Sequence, residues 1–169
     1  INNMAKVDQM MSKVLENNIE CEVSLIFGLP CQTFESFCET VGWCLERSVP
    51  TIKAFPLMLL RGTEIEQERD TWDLVESGGT MPVVLQSNTF SYDDWFKMAQ
   101  ISEALKMTED SHPDSISELL RLAEGLDLDL SRFRPDISAP DTDEIQFRGS
   151  SYRPHLEFLP IQLNSICLY

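Results

Sequence analysis

The sequence predicts an α/β fold built on parallel strands, with a helical and irregular C-terminal extension. Between residues 4 and 57, stretches with helical spacing of apolar residues alternate with short runs rich in β-branched residues. That alternation is the signature of a parallel sheet whose strands are joined by crossover helices. A second observation concerns where the turns fall. Gly28-Leu29-Pro30 and Arg61-Gly62-Thr63 each follow one of these runs, at the carboxyl end where parallel α/β proteins gather their sites.

Met4, Val7, Met10, Met11, Val14 and Leu15 recur at helical spacing after Asn3, a capping residue, and predict an amphipathic helix over about residues 4–17 that ends at Asn17-Asn18. Glu22 to Phe27 follows as a strand. Thr33 opens a second helix with Phe34, Phe37, Cys38, Val41 and Leu45 on one face; Val49-Pro50 stops it, and Thr51 to Leu57 is the next strand. Thr63-Glu64-Ile65-Glu66 has the capping-box pattern and starts a shorter helix. Ser77-Gly78-Gly79 is a turn, and Met81 to Leu85 reads as a third strand or an extended stretch. Ser91 to Lys106 forms a helix carrying Trp95, Met98, Ala99 and Leu105, and Ser115 with Glu118 caps another that closes near Gly125. Residues 131–155, rich in Arg, Pro, Asp and Ser, read as a loosely structured tail, and the apolar stretch Leu156 to Leu168 as a strand that docks back.

Composition narrows the function classes. At 169 residues, with 43% hydrophobic and 24% charged residues, the chain can bury a real core. Its net charge of −15 repels a phosphate backbone, so nucleic-acid binding is disfavoured. The longest apolar runs, such as Ala54 to Leu60, fall far short of the roughly 20 residues that span a bilayer, and the expected location is cytoplasmic. The chain begins at Ile1-Asn2-Asn3 without an initiator Met and reads as a piece of a longer product.

Five cysteines, Cys21, Cys31, Cys38, Cys44 and Cys167, lack the spacing of a secreted disulfide scaffold. An iron-sulfur cluster on Cys31, Cys38 and Cys44 is disfavoured by helix geometry. Cys38 and Cys44 point about 240° apart and lie about 9 Å apart along the axis. They read instead as small core-facing residues. His112 and His155 are isolated, His112 in a loop before Pro113, so a zinc site is not expected.

Side-chain alternation assigns the strand faces. In the first strand Val23, Leu25 and Phe27 are uniformly apolar, whereas Glu22, Ser24 and Ile26 are mixed and fit a polar interior. In the second, Lys53 shares a face with Phe55; it either lines a polar interior or sits at the strand's exposed start. Taken singly, Gly28 can be explained as a turn residue, Pro30 as a restraint on Leu29, and Thr63 as a cap. Their shared location is what points to a ligand.

The stretches VSLIFGLP-CQTFESF and IKAFPLMLLRGTEI, in this order and separation, resemble the second half of the barrel in radical S-adenosylmethionine enzymes. The likeness is nearest to the subset that includes coproporphyrinogen dehydrogenases, methylthiotransferases and cobalamin-linked members. It covers about residues 1–70 well and 71–110 weakly. It implies a partial (βα) TIM-like barrel over residues 1–108, followed by an extension over residues 109–169. It further implies that Ile26 packs against the adenine of S-adenosylmethionine, with the backbone of Phe27, Gly28 and Leu29 close by. Arg61 becomes a contact for a carboxylate on cofactor or substrate, or else a solvent-facing surface residue. Ser24 stands where many relatives carry an acidic residue and Cys31 where they usually have Gly, while Gln32-Thr33 agrees with the family pattern.

One family feature is missing. The CxxxCxxC loop, whose thiolates hold the 4Fe-4S cluster, occurs nowhere in the chain; in the family it lies upstream. Without it no 5′-deoxyadenosyl radical forms, because the cofactors carry the hard chemistry. The expected function is therefore a C-terminal fragment of a radical S-adenosylmethionine enzyme, inert alone, completed by the N-terminal half of the same parent protein and acting on a substrate the residues do not specify. A non-enzymatic module whose acidic surface docks a basic partner is the alternative. A hydrolase or aldolase fragment has no G-x-S-x-G elbow, H-E-x-x-H or P-loop to support it.

Overall fold

The computed structural model of the chain describes residues 4–17, 19–78, 80–128 and 165–168. The Asn3 cap, Gly79, the tail over residues 131–155, His155, and residues 156–164 of the final apolar stretch lie outside these. The elements run α1 (Met4–Glu16), β1 (Glu22–Phe27), α2 (Phe34–Glu46), β2 (Thr51–Pro56), α3 (Glu64–Gln67), β3 (Val75–Glu76), β4 (Val84–Gln86), α4 (Tyr92–Met107), α5 (Ile116–Glu124) and β5 (Ser165–Leu168). Strands β2, β1 and β5 form a parallel sheet in that order, with Glu22 opposite Thr51 on one side and opposite Ser165 on the other. The protein is thus mixed α/β with parallel strands, as the alternation predicts. Among the described residues the strands do not close into a barrel.

Period-two alternation decides what β1 buries. Val23, Leu25 and Phe27 are almost fully buried, while Glu22, Ser24 and Ile26 are half-buried. On β2, Ile52 and Ala54 share the buried face, and Lys53 and Phe55 the other. Among the described residues, the helices pack on the apolar side. Phe27 lies 5.8 Å, centroid to centroid, from both Phe37 of α2 and Trp95 of α4, and Tyr92 stacks on Trp95 at 6.0 Å. Helix α5, assigned by sequence to the extension, packs against α4 and α2, with Leu119 and Ala123 buried there. Helix α1 contributes Met11 to the core, whereas Met10, expected on the same face, is half exposed. An ion pair between Asp8 and Arg47 (2.7 Å) fastens α1 to the end of α2, and the Arg47 guanidinium also lies over the Trp43 ring.

The helix starts are set by local chemistry. Thr33 and Ser36 form a reciprocal capping box on α2, as do Ser91 and Asp94 on α4; the Ser91 hydroxyl and amide hold the Asp94 carboxyl below its usual range. At Thr63 the predicted box is only half made. Thr63 Oγ1 accepts from Glu66 N–H, but the Glu66 carboxylate receives its N–H from Gly62, one residue before the cap. The stretch Met81 to Leu85, read as a third strand or an extended stretch, holds a strand only at its end. β4 spans Val84–Gln86 and pairs antiparallel with β3, outside the parallel sheet. The Ser77-Gly78 turn is far too short for a parallel crossover, which needs a dozen or more residues.

Candidate functional site

Because β1 and β2 run parallel, their carboxyl ends lie at the same end of the sheet, and one predicted turn follows each. Leu57 N–H donates to Phe27 O (2.8 Å), carrying the β1–β2 ladder one step beyond the strands. The chain leaving β2 then runs against β4: Val84 N–H donates to Leu57 O, Leu59 N–H donates to Pro82 O, and Met58 pairs with Val83. Gly28 stands at the centre of this junction with φ +88°. A Cβ there would meet Val84 O at 3.3 Å and the rings of Phe90 and Trp95 at 3.7 Å. Only glycine combines that dihedral with so close an approach.

The turn after Gly28 is organised by Gln32. Its Oε1 accepts from Gly28 N–H (2.7 Å) and Leu29 N–H (3.3 Å), and its Nε2 donates to Ile26 O (3.2 Å). One side chain thereby satisfies three backbone groups of the turn. Its own carbonyl accepts from Thr89 Oγ1 (2.7 Å), which ties the turn to the loop before α4. Cys31 adopts φ +65°, a left-handed conformation that glycine takes without strain, and its thiol is exposed. Sequence reasoning noted Gln32 only as a pattern match. A long amide side chain placed between a Gly-Leu-Pro turn and a capping threonine was the available signal. Gln32→Ala should cost about 1–3 kcal/mol, the penalty for leaving buried backbone groups unpaired; equilibrium urea unfolding measures it, and loss of amide protection at Gly28 locates it.

Of the other predicted residues, Ile26 lies half-buried on the face away from the core, directly opposite Phe55 of β2, which is 50% exposed. Together they form an apolar shelf just below the mouth. The Phe27 side chain points the other way, into the core. Arg61 is exposed, and its guanidinium pairs with Glu76 (3.0 Å) on β3 and Glu66 (3.4 Å) on α3, while Arg69 also reaches Glu76 (3.2 Å). The Glu76 hydrogen bond is the main reason that the Arg61 pKa is raised. Met58, Leu60 and Met81 are exposed on the segments that frame this end.

Towards the amino ends of the strands the same face turns polar. Lys53 Nζ contacts Glu22 at 2.6 Å and Glu109 at 3.4 Å, and Ser24 donates to Glu22. Lys53 lies near the start of β2, partly exposed, with its ammonium held by carboxylates. Burial raises the Cys38 thiol to about 11 and the Cys44 thiol to about 12, so both stay protonated and pack as apolar groups. Among the described residues no three His, Cys, Asp or Glu side chains converge on a point where they could hold a metal ion, and no helix is long and apolar enough to cross a membrane.

No protein-family model matches the chain, and no curated protein matches it.

Proposed function

We propose that residues 1–108 are the carboxyl-terminal portion of a radical S-adenosylmethionine barrel, supplying part of the adenine pocket and the substrate-side loops to a protein whose cluster-binding loop lies on another segment. The observation that carries this reading is the pairing of β1 with β2. They run parallel, Ile26 faces Phe55, and the Gly-Leu-Pro and Arg-Gly-Thr turns follow their carboxyl ends. An adenine ring suits the Ile26–Phe55 shelf, which offers a flat apolar surface open on one side. The backbone suits it less well, because the Gly28 and Leu29 amides are already bonded to Gln32. Ile26 and Phe55 would hold the purine by stacking and dispersion, and Arg61, once exchanged from Glu76, would meet a carboxylate. Reductive cleavage of S-adenosylmethionine is the chemistry that the cluster and cofactor supply. The chain's own part is to seat the purine and to shape the mouth.

Reconstitution of the full-length product with iron and sulfide under anaerobic conditions tests this. Under reductant it should release 5′-deoxyadenosine from S-adenosylmethionine, and background release alone defeats the proposal. Ile26→Asp should weaken S-adenosylmethionine binding at least about tenfold, because a carboxylate in an apolar slot is costly to desolvate. Equilibrium dialysis of the folded variant reads this directly, and unchanged affinity removes Ile26 from the pocket. The committed turn amides and the net charge of −15 favour one other reading, an acidic module that docks a basic protein. Salt-sensitive binding of a basic protein without any binding of S-adenosylmethionine would favour it.

A further inference from the structure

Strand β2 lies at the outer edge of the sheet, and an open strand edge is a template for unwanted pairing. Its outward backbone groups belong to Ile52, Ala54 and Pro56, since Ile52 N–H and Ala54 O are the groups that bond away from β1. Three of these positions are blunted, each differently. Ala54 O accepts from Ser102 Oγ of α4 (2.7 Å), and Pro56 has no N–H to offer. Ile52 N–H donates to His112 Nε2 (3.0 Å), which arrives from the loop between α4 and α5.

The protonation pattern of that contact is fixed by the backbone. An amide N–H can only donate, so Nε2 must present its lone pair and the ring proton sits on Nδ1. Nδ1 then donates to Thr108 Oγ1 (2.9 Å), and the Thr108 hydroxyl donates to Ala104 O (2.9 Å) at the end of α4. The chain of donors runs in one direction from β2 to α4. A second proton on the ring would place Nε2–H against Ile52 N–H, donor against donor.

We propose that His112 is a proton-released latch, holding the α4–α5 loop against the edge of β2 while the ring is neutral and letting go when the ring is protonated. Burial lowers the pKa of the ring, opposed by Glu109 and Asp110. Asp114 lines the same hollow, the end of α2 and the α2–β2 turn bring the uncharged Leu45, Ser48, Val49 and Pro50, and the Lys53 ammonium of β2 is held by Glu22 and Glu109. The folded state resists protonation more than the opened state does, so the latch is fully closed above the ordinary imidazole value near 6.5 and loosens as pH falls below it.

Hydrogen exchange at single amides between pH 8 and pH 5, corrected for intrinsic exchange rates, tests the latch. Protection of Ile52 should fall by up to about tenfold per pH unit below about 6.5, the limit for release coupled to one proton. Leu57, whose amide bonds to Phe27 O, should hold its protection. His112→Gln, which carries an amide oxygen but cannot titrate, should flatten the Ile52 profile. Ile52 protection that is constant across this range in the wild-type protein overturns the proposal, as does an equal fall at Leu57 or in the His112→Gln protein.

Discussion

Phe27→Ala should lower the unfolding free energy by about 3–5 kcal/mol, the usual cost of emptying an aromatic site in a close-packed core. Phe27 is 1% exposed and touches both the Phe37 and Trp95 rings, so the cavity opens at the junction of β1, α2 and α4. A domain of this kind has only about 5–15 kcal/mol in hand, so a large share of its stability depends on one ring. The neighbouring Ile26→Ala should cost much less, because Ile26 is only half-buried and faces away from the core. Urea unfolding of the two variants side by side measures the contrast. Equal losses would mean that the second face is packed as tightly as the first.

Gly28→Val should cost about 2–4 kcal/mol, from two sources that add. The dihedral φ +88° is strained for any L-residue by roughly 1–3 kcal/mol. The added side chain also has to find room beside Val84 O, 3.3 Å from the first carbon. Val84 cannot retreat freely, since its N–H is bonded to Leu57 O, so the displacement passes into the chain leaving β2. Gly28→Ala should show the dihedral cost with less of the crowding. A thermal melt of each variant reads the difference, and a valine variant as stable as wild type would mean that the turn can flip to another conformation.

Much of the parallel sheet was legible because it is written in local terms. Alternation in Glu22–Phe27 and Thr51–Pro56 marks both the strands and their faces, down to the mixed Glu22, Ser24, Ile26 set, which is half-buried where Val23, Leu25 and Phe27 are buried. Ser91 and Ser115 marked their helix starts through hydroxyls that cap the very next turn. What escaped depends on partners distant in sequence. Nothing near Val84 indicates that it pairs with β3 and bonds the end of β2. His112 reads as an ordinary loop residue until Ile52, sixty positions earlier, is brought to its ring. At the candidate site, Ile26 and Gly28 were visible from the strand-and-turn pattern. Gln32 was not recognised as a brace, because its three bonds exist only once the turn has closed.

The sheet order places β1 between a strand that follows it closely and one from the far end of the chain. The two pairings differ sharply in the loop entropy each must overcome, and contacts remote in sequence form slowly. The β1–α2–β2 unit should therefore assemble first, leaving one side of β1 waiting for Ser165–Leu168. During synthesis, which proceeds from the amino end, that interval lasts until Ser165–Leu168 has left the ribosome. The hazard of mispairing is thus greatest in the nascent polypeptide, and a chaperone that shields bare β-edges would matter most at that stage.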